Sequence, residues 1–277
     1  SDWIYLINKI FLKNKLIINN DLSLFFLTDL SNKRSEIFDT YNNICNILLL
    51  KEVIKEKKIN KILINGASNT FINSIKSFLK IEIIVLNKKN NLKAIKNSLS
   101  INILKHFKLI LKYLIYRVFL VLFIDNESKK KVCKTIFFTK YPLHFPKDTN
   151  LEEKYNYLVK KDDKYITNLH SDGLHQSLSI FSSLICRIKI QQENRDKHII
   201  VDDNVTFKDL IISLLDVFRL YMPFKKMREK RYLYKNIDIS LSIKNEFNFS
   251  LQRILGLLIC YRALNKILKS ITAEKYI

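Results

Sequence analysis

The segment His170–Gln176 (HSDGLHQ) gathers side chains suited to acid–base chemistry within seven residues. His170 and Asp172 could supply a general base and a partner that orients it. Gly173 permits a tight turn, and His175 would open the next helix, whose N–H groups can hold an anion. Ordinary Asp–Gly turn chemistry explains the same residues equally well. The two histidines are five residues apart with no further clear ligand, which disfavours a metal site.

The segment Thr28–Glu36 (TDLSNKRSE) is a second candidate for ligand binding. Lys33 and Arg34 could bind a carboxylate or a phosphate, and arginine does so with two parallel hydrogen bonds. Asp29 adds a carboxylate at the start of the same loop. A solvated loop that caps the following helix is the competing interpretation.

Two further polar loops carry weaker signals. Thr139–Pro146 (TKYPLHFP) places His144 between two prolines, a rigid arrangement that suits ligand contact or a purely structural role. Asn65–Thr70 (NGASNT) contains one glycine and no GK[ST], so it is not a phosphate-binding P-loop.

Each of these loops follows a short apolar run typical of a buried strand, and helical patterns alternate with the runs. Alternation of this kind predicts a parallel sheet, with ligands at the carboxyl ends of its strands. We therefore expect an α/β fold, a Rossmann-like parallel sheet flanked by helices, with a helical C-terminal third. There is no GxGxxG fingerprint for a dinucleotide. The predicted strands are Leu22–Leu27, Lys61–Ile64, Ile81–Leu86, Lys134–Thr139, Tyr165–Leu169 and Ile199–Val201.

The helices are predicted from apolar spacing and capping residues. Glu36–Lys57 and Phe71–Leu79 show helical spacing of apolar residues. Thr206 and Asp209 have the spacing of a capping box, which predicts a helix from Phe207 to about Met222, ended by the following proline.

The stretch Leu92–Ile124 predicts a long basic helix with a strongly apolar end. The apolar run is shorter than the roughly 20 residues that a membrane span needs. Lys105, Lys108, Lys112 and Arg117 interrupt it, which favours an amphipathic helix lying in the lipid headgroup region. A buried or partner-packed helix with snorkelling lysines is the alternative.

The composition allows a large core and a polyanionic partner. Hydrophobic residues make up 48% of the 277 residues, and 48 Lys and Arg against 26 Asp and Glu give a net charge of +22. Such a charge indicates nucleic acid, an anionic membrane or a charged substrate. Drift toward AT-rich codons, which favours Lys, Ile and Asn, explains the excess equally well. The four cysteines form no CxxC pair, which favours a reducing, cytoplasmic setting.

The segments FFLTDLSNKRSEIFDTYNNICNILL, KTIFFTKYP and YITNLHSDGLHQ together resemble bacterial surface-carbohydrate (capsule or O-antigen) biosynthesis proteins of the GT-B glycosyltransferase type. The resemblance implies an acceptor-side domain over residues 1–240 and a helical connector over 241–277. A second domain that binds the donor would begin near AEKYI at the end of the chain.

The resemblance also implies an activity, the transfer of a sugar from a nucleotide-sugar to a lipid-linked glycan at the inner face of the cytoplasmic membrane. Asp172 or His170 would act as the base, with Asp29 in reserve. Lys33 and Arg34 would bind an acidic group of the acceptor, and His144 and His175 lie on candidate acceptor loops. The scheme requires no metal and no cofactor beyond the nucleotide-sugar co-substrate.

Two other classes of protein remain open. A noncatalytic membrane-associated scaffold of polysaccharide assembly would account for the amphipathic helices. A nucleic-acid-binding protein would account for the charge, but no recognised binding motif supports it.

Overall fold

The computed structural model describes residues 2–18, 22–27, 40–89, 99–123, 131–140, 163–169, 179–194 and 198–276. The chain divides into two compact units. Unit 1 comprises Ser1–Asn102 and Val217–Ile254, and unit 2 comprises Ile103–Asp216 and Leu255–Ile277. Both units contain two separate stretches of the chain. The expected domain over 1–240 and connector over 241–277 stay predictions.

The described helices and strands alternate for most of the chain. The helices are α1 (Asp2–Lys13), α2 (Thr40–Lys57), α3 (Asn69–Phe78), α4 (Leu99–Phe123), α5 (Ile180–Asn194), α6 (Phe207–Arg228) and α7 (Ser240–Ser270). The strands are β1 (Ile17–Ile18), β2 (Leu22–Ser23), β3 (Lys61–Ile64), β4 (Ala67–Ser68), β5 (Glu82–Val85), β6 (Lys88–Lys89), β7 (Lys131–Lys140), β8 (Lys164–Asn168), β9 (His198–Ile200), β10 (Leu233–Tyr234), β11 (Ile237–Asp238) and β12 (Ile271–Tyr276).

Unit 2 contains a parallel sheet with the strand order β12-β7-β8-β9. Successive side chains of a strand point to opposite faces. Tyr165 and Ile166 are neighbours on β8, and each is only 2% exposed, so both faces of the sheet are covered at β8. Parallel sheets require this cover. The α/β class and the predicted strands at residues 134–139, 165–169 and 199–201 are confirmed, with small shifts at their ends.

The last strand, β12, belongs to the sheet of unit 2. It runs parallel to β7, with Ala273 opposite Cys133 and Lys275 opposite Thr135. Its backbone groups pair within the same sheet as β8 and β9. The second domain expected from the resemblance stays a prediction.

Unit 1 contains a strand–helix–strand unit, as predicted. Strands β3 and β5 pair in parallel and α3 connects them, with β4 and β6 as a second short parallel pair. Gly66 adopts a φ of +70° between β3 and β4, and its N–H donates to the carbonyl of Asn87 at 2.7 Å. Glycine adopts this backbone conformation without strain.

The prediction of a strand over Leu22–Leu27 is wrong for most of its length. Only Leu22–Ser23 is extended, and it pairs antiparallel with β1, while Leu24–Leu27 forms a 3-10 helix. The tighter turn buries Phe25, whose ring meets that of Phe11 edge-on at 5.6 Å between centroids. A short continuous apolar run does not distinguish a buried strand from a buried helical turn.

The core of unit 1 is centred on four phenylalanines, Phe11, Phe25, Phe224 and Phe247, each at most 1% exposed. Phe11 stacks on Phe247 at 5.7 Å and meets Phe224 edge-on at 5.8 Å. Aromatic pairs in these geometries add about 0.5–1.5 kcal/mol each beyond their buried area.

Helix α6 begins as predicted but does not end at Pro223. The prediction of a stop is wrong, because α6 continues to Arg228. An internal proline costs about 3 kcal/mol. The continuing turn buries Phe224 and Met227 completely, and burial of such side chains contributes about 1.5–3 kcal/mol each. Their burial therefore offsets the cost of the proline.

Helix α4 occupies the described part of the long helix expected over residues 92–124. None of the helices in the described residues is long and apolar enough to cross a membrane.

Candidate functional site

The predicted site residues lie outside the described part of the chain. They are Asp172, His170, Asp29, Lys33, Arg34, His144 and His175. Their predicted roles therefore stay predictions. The structure describes the ends of the strands from which two of these loops start.

The carboxyl ends of β8 and β9 are joined by the side chain of Asp202. Its Oδ2 accepts a hydrogen bond from the N–H of Leu169 at 2.7 Å, and its Oδ1 accepts from the hydroxyl of Tyr113 at 3.2 Å. Asp202 is 2% exposed. Leu169 directly precedes His170 in the sequence. A buried carboxylate thus fixes the backbone at the point where the segment HSDGLHQ begins.

The neighbouring residue, Asp203, joins two helices to the same edge of the sheet. Its Oδ1 accepts from the Tyr116 hydroxyl at 2.6 Å, and its Oδ2 accepts from Arg187 Nε at 2.8 Å. Its backbone carbonyl accepts from Arg117 Nη1 at 3.0 Å. Tyr116 and Arg117 lie on α4, and Arg187 lies on α5.

The Asp203–Arg187 ion pair is largely enclosed, with side-chain exposures of 15% and 10%. Burial raises the pKa of Asp203 above its ordinary value, although Arg187 and the Tyr116 hydroxyl favour the charged form. Burial and the two nearby carboxylates also raise the pKa of Tyr116 well above its ordinary value, so this phenol stays protonated near neutral pH. Desolvation is the dominant electrostatic effect in the cluster.

The side chains that bond Asp202 and Asp203 lie beside a group of packed hydrophobic residues. Tyr116 and Leu120 of α4 pack with Ile190 of α5 and with Leu169 and Ile200 at the ends of the strands. These contacts fix the two helices against the sheet. The polar atoms of Asp202 and Asp203 therefore have a defined geometry.

The arrangement places two carboxylates, two arginines and two phenols at the carboxyl edge of a parallel sheet. Folds of this class bind their ligands at such an edge. Both arginines bond Asp203, and a carboxyl group with a raised pKa suits proton transfer. A structural role, holding β8, β9, α4 and α5 together, follows directly from the hydrogen bonds.

The sequence analysis did not identify Asp202 and Asp203 as site residues. The signal was two consecutive acids directly after the apolar run HIIV at the end of a predicted strand. Their partners gave no local signal, because Tyr116 lies 87 residues from Asp203 in the sequence.

The loop Asn65–Thr70 of unit 1 has a structural role. Ser68 caps α3, where its Oγ accepts from the N–H of Phe71 at 3.2 Å, and it bonds Thr70 at 2.8 Å. Thr70 in turn accepts from Asn43 at 3.4 Å. Helix capping explains these polar residues.

Among the residues that the structure describes, no three His, Cys, Asp or Glu side chains form a group able to hold a metal ion.

Comparison of the chain with protein-family models, with curated proteins and with solved structures finds no match.

Proposed function

We propose that the chain is the acceptor-side part of a glycosyltransferase with a Rossmann-like, GT-B-like fold. It would transfer a sugar from a nucleotide-sugar to a lipid-linked surface glycan, acting in the cytoplasm at the inner face of the cytoplasmic membrane. The support from the fold is a parallel sheet, whose carboxyl edge is the usual ligand position of this class.

The single observation that carries the proposal is the bond from Leu169 to Asp202. It anchors the backbone one residue before His170, so the segment that holds Asp172 and His170 starts from a rigid point. Catalytic groups need such support, because small displacements of reacting groups cost large factors in rate. Asp202 is then a positioning residue for this loop.

The proposed reaction is a direct displacement. Asp172 or His170 takes the proton from the acceptor hydroxyl, and the oxygen forms a bond to the anomeric carbon of the donor sugar. The bond from that carbon to the phosphate oxygen breaks, and the nucleoside diphosphate leaves with the electron pair. Lys33 and Arg34 bind an acidic group of the acceptor.

The test is transfer of radiolabelled sugar by the full-length protein, with membrane glycolipids as acceptors and a panel of nucleotide-sugars as donors. The variants are Asp172→Asn and His170→Ala. Asp238→Asn is the control, since Asp238 lies in unit 1 and its partner Arg231 is 70% exposed. Circular dichroism verifies that each variant is folded.

Loss of transfer by at least about 100-fold in the two loop variants, with the control active, would support the assignment of the base. Transfer that survives both substitutions would remove HSDGLHQ from the chemistry. If the wild type transfers no sugar across the panel, the enzyme proposal fails.

A scaffold of polysaccharide assembly is the second candidate, and the exposed apolar side chains of α4 favour it. Leu104, Val121 and Leu122 are each at least 67% exposed. A scaffold would keep its binding to membranes after loss of Asp172 and His170, and it would show no transfer with any donor.

A further inference from the structure

Helix α4 carries a continuous apolar stripe on its exposed side. At about 100° per residue, six of its large apolar side chains fall within an arc of about 80°. Their exposures run from 41% for Ile115 to 69% for Leu104. The stripe consists of Leu104, Phe107, Leu111, Ile115, Val118 and Leu122.

The opposite side of the helix is committed to the interior of unit 2. Tyr113, Tyr116 and Leu120 are at most 5% exposed. Tyr113 and Tyr116 also bond Asp202 and Asp203. The helix therefore cannot turn its stripe inward without losing these bonds and the core beneath them. From Leu104 to Leu122 the stripe extends about 27 Å.

The charged residues of α4 itself have one sign. The sequence of α4 contains no Asp or Glu, and Lys108 lies exposed at the edge of the stripe, with Lys105 one position further round. The whole chain carries a net charge of +22. Apolar side chains bordered by lysines match an anionic lipid surface, where tails meet the apolar groups and phosphates meet the ammonium groups.

A second copy of the chain is a poorer occupant, because it would bring the same positive charge to the same face. A membrane span is also a poor fit, since α4 is not apolar enough along its length.

We propose that the stripe of α4 is a membrane-docking surface that lies flat in the headgroup region of an anionic bilayer. Docking would bring the proposed glycosyltransferase to its membrane-borne acceptor. The proposal rests on the proposed function only in this respect. Vesicle binding is measured without donor or acceptor, so failure of docking and failure of transfer are distinguishable.

The test is co-flotation of the full chain with vesicles of phosphatidylcholine alone and of phosphatidylcholine with phosphatidylglycerol. The variant Leu111→Asp/Val118→Asp places two carboxylates in the stripe. Leu49→Asp/Val53→Asp is the matched control, with the same change of charge at exposed apolar positions of α2 in unit 1. We expect the stripe variant to bind anionic vesicles at least about tenfold more weakly than this control.

A second measurement keeps the proposal testable if the stripe variant fails to fold. Trp3 is the single tryptophan of the sequence, so Trp3→Phe/Phe107→Trp reports on the stripe alone. We expect a blue shift with anionic vesicles and quenching by brominated lipid. The corresponding reporter on α2, Trp3→Phe/Leu49→Trp, should show neither.

Three results would overturn the proposal. The first is unchanged vesicle binding in the stripe variant, and the second is no response of the tryptophan at position 107. The third is a wild-type dimer in light scattering that the stripe variant makes monomeric, which would show that a second copy covers the stripe.

Discussion

At the scale of single residues, the pair Asp203–Arg187 shows how burial changes the contribution of an ion pair to stability. The raised pKa of Asp203 indicates that its charge is not fully compensated, because burial opposes ionisation more strongly than Arg187 favours it. Removal of one partner from a buried pair costs about 3–5 kcal/mol, whereas an exposed pair contributes about 0–1 kcal/mol.

We expect Arg187→Met to lower the free energy of unfolding by about 3 kcal/mol at pH 7. The matched control is Arg231→Met, since Arg231 pairs with Asp238 but is 70% exposed. Its loss should cost less than about 1 kcal/mol. Urea denaturation of both variants measures the difference. Equal losses would mean that the Asp203 cluster is open to water.

The same variant has a predictable dependence on pH. A carboxyl group with a raised pKa in the folded state stabilises the fold when it is protonated, and this stability is lost as pH rises through the folded pKa. Without Arg187 the pKa rises further. The destabilisation by Arg187→Met should therefore be smaller at pH 4.5 than at pH 7. A loss that grows toward acid would contradict this account.

At the scale of helices and strands, much of the fold could be predicted from local signals. The capping box is confirmed in both directions: the N–H of Thr206 donates to Asp209 Oδ2 at 2.7 Å, and the N–H of Asp209 donates to Thr206 Oγ1 at 3.3 Å. The local pattern gave a wrong end for α6 at Pro223, because contacts with residues distant in the sequence decide where this helix ends. It also missed the β10–β11 turn, where Lys235 and Asn236 both adopt positive φ without the usual glycine.

We expect Thr206→Ala to destabilise the fold by about 1 kcal/mol, because it removes a cap of α6. Thr206→Ser keeps the hydroxyl and should stay within a few tenths of a kcal/mol of the wild type. Thermal unfolding of the two variants measures the contrast. If both lose the same stability, the methyl group of Thr206 matters and not its hydrogen bond.

Because the cap of α6 includes the carboxylate of Asp209, the stability of the fold depends on pH at this site. Burial opposes ionisation of Asp209, but hydrogen bonds from Lys266 and Thr206 outweigh it and lower its pKa. Such a group stabilises the fold above its ordinary pKa, and the contribution is lost as pH falls through the folded value. Asp209→Asn should therefore have a lower free energy of unfolding than the wild type at pH 7. This difference between variant and wild type should become smaller below about pH 3.9.

Pro223 gives a test of the continuity of α6. Alanine restores a backbone donor and removes a clash with the preceding turn, so Pro223→Ala should stabilise the fold by about 1–3 kcal/mol. The midpoint of urea unfolding measures the gain. A loss of stability would mean that the burial of Phe224 and Met227 depends on a bend at the proline.

At the scale of the whole molecule, the sequence did not predict that each of the two units consists of two separate stretches of the chain. Helices α4, α6 and α7 each contribute residues to both units, so the chain enters each unit twice. Hydrophobic periodicity identifies a helix and its buried face but not the partner against which the face packs.

The net charge of +22 also belongs to the whole molecule, and it allows the nucleic-acid alternative to be tested against membrane docking. Binding of a polynucleotide through phosphate contacts weakens steeply with salt, by about 10³-fold between 50 and 200 mM for six contacts. Docking through the α4 stripe keeps its apolar contribution, because salt screens charges but does not weaken apolar burial. We therefore expect duplex DNA to dissociate by 200 mM salt under conditions where anionic vesicles still bind. Fluorescence anisotropy with unrelated DNA sequences and vesicle flotation over one salt series make the comparison. If one particular DNA sequence stays bound at 200 mM salt while the vesicles are released, the positive charge serves nucleic-acid binding and not membrane docking.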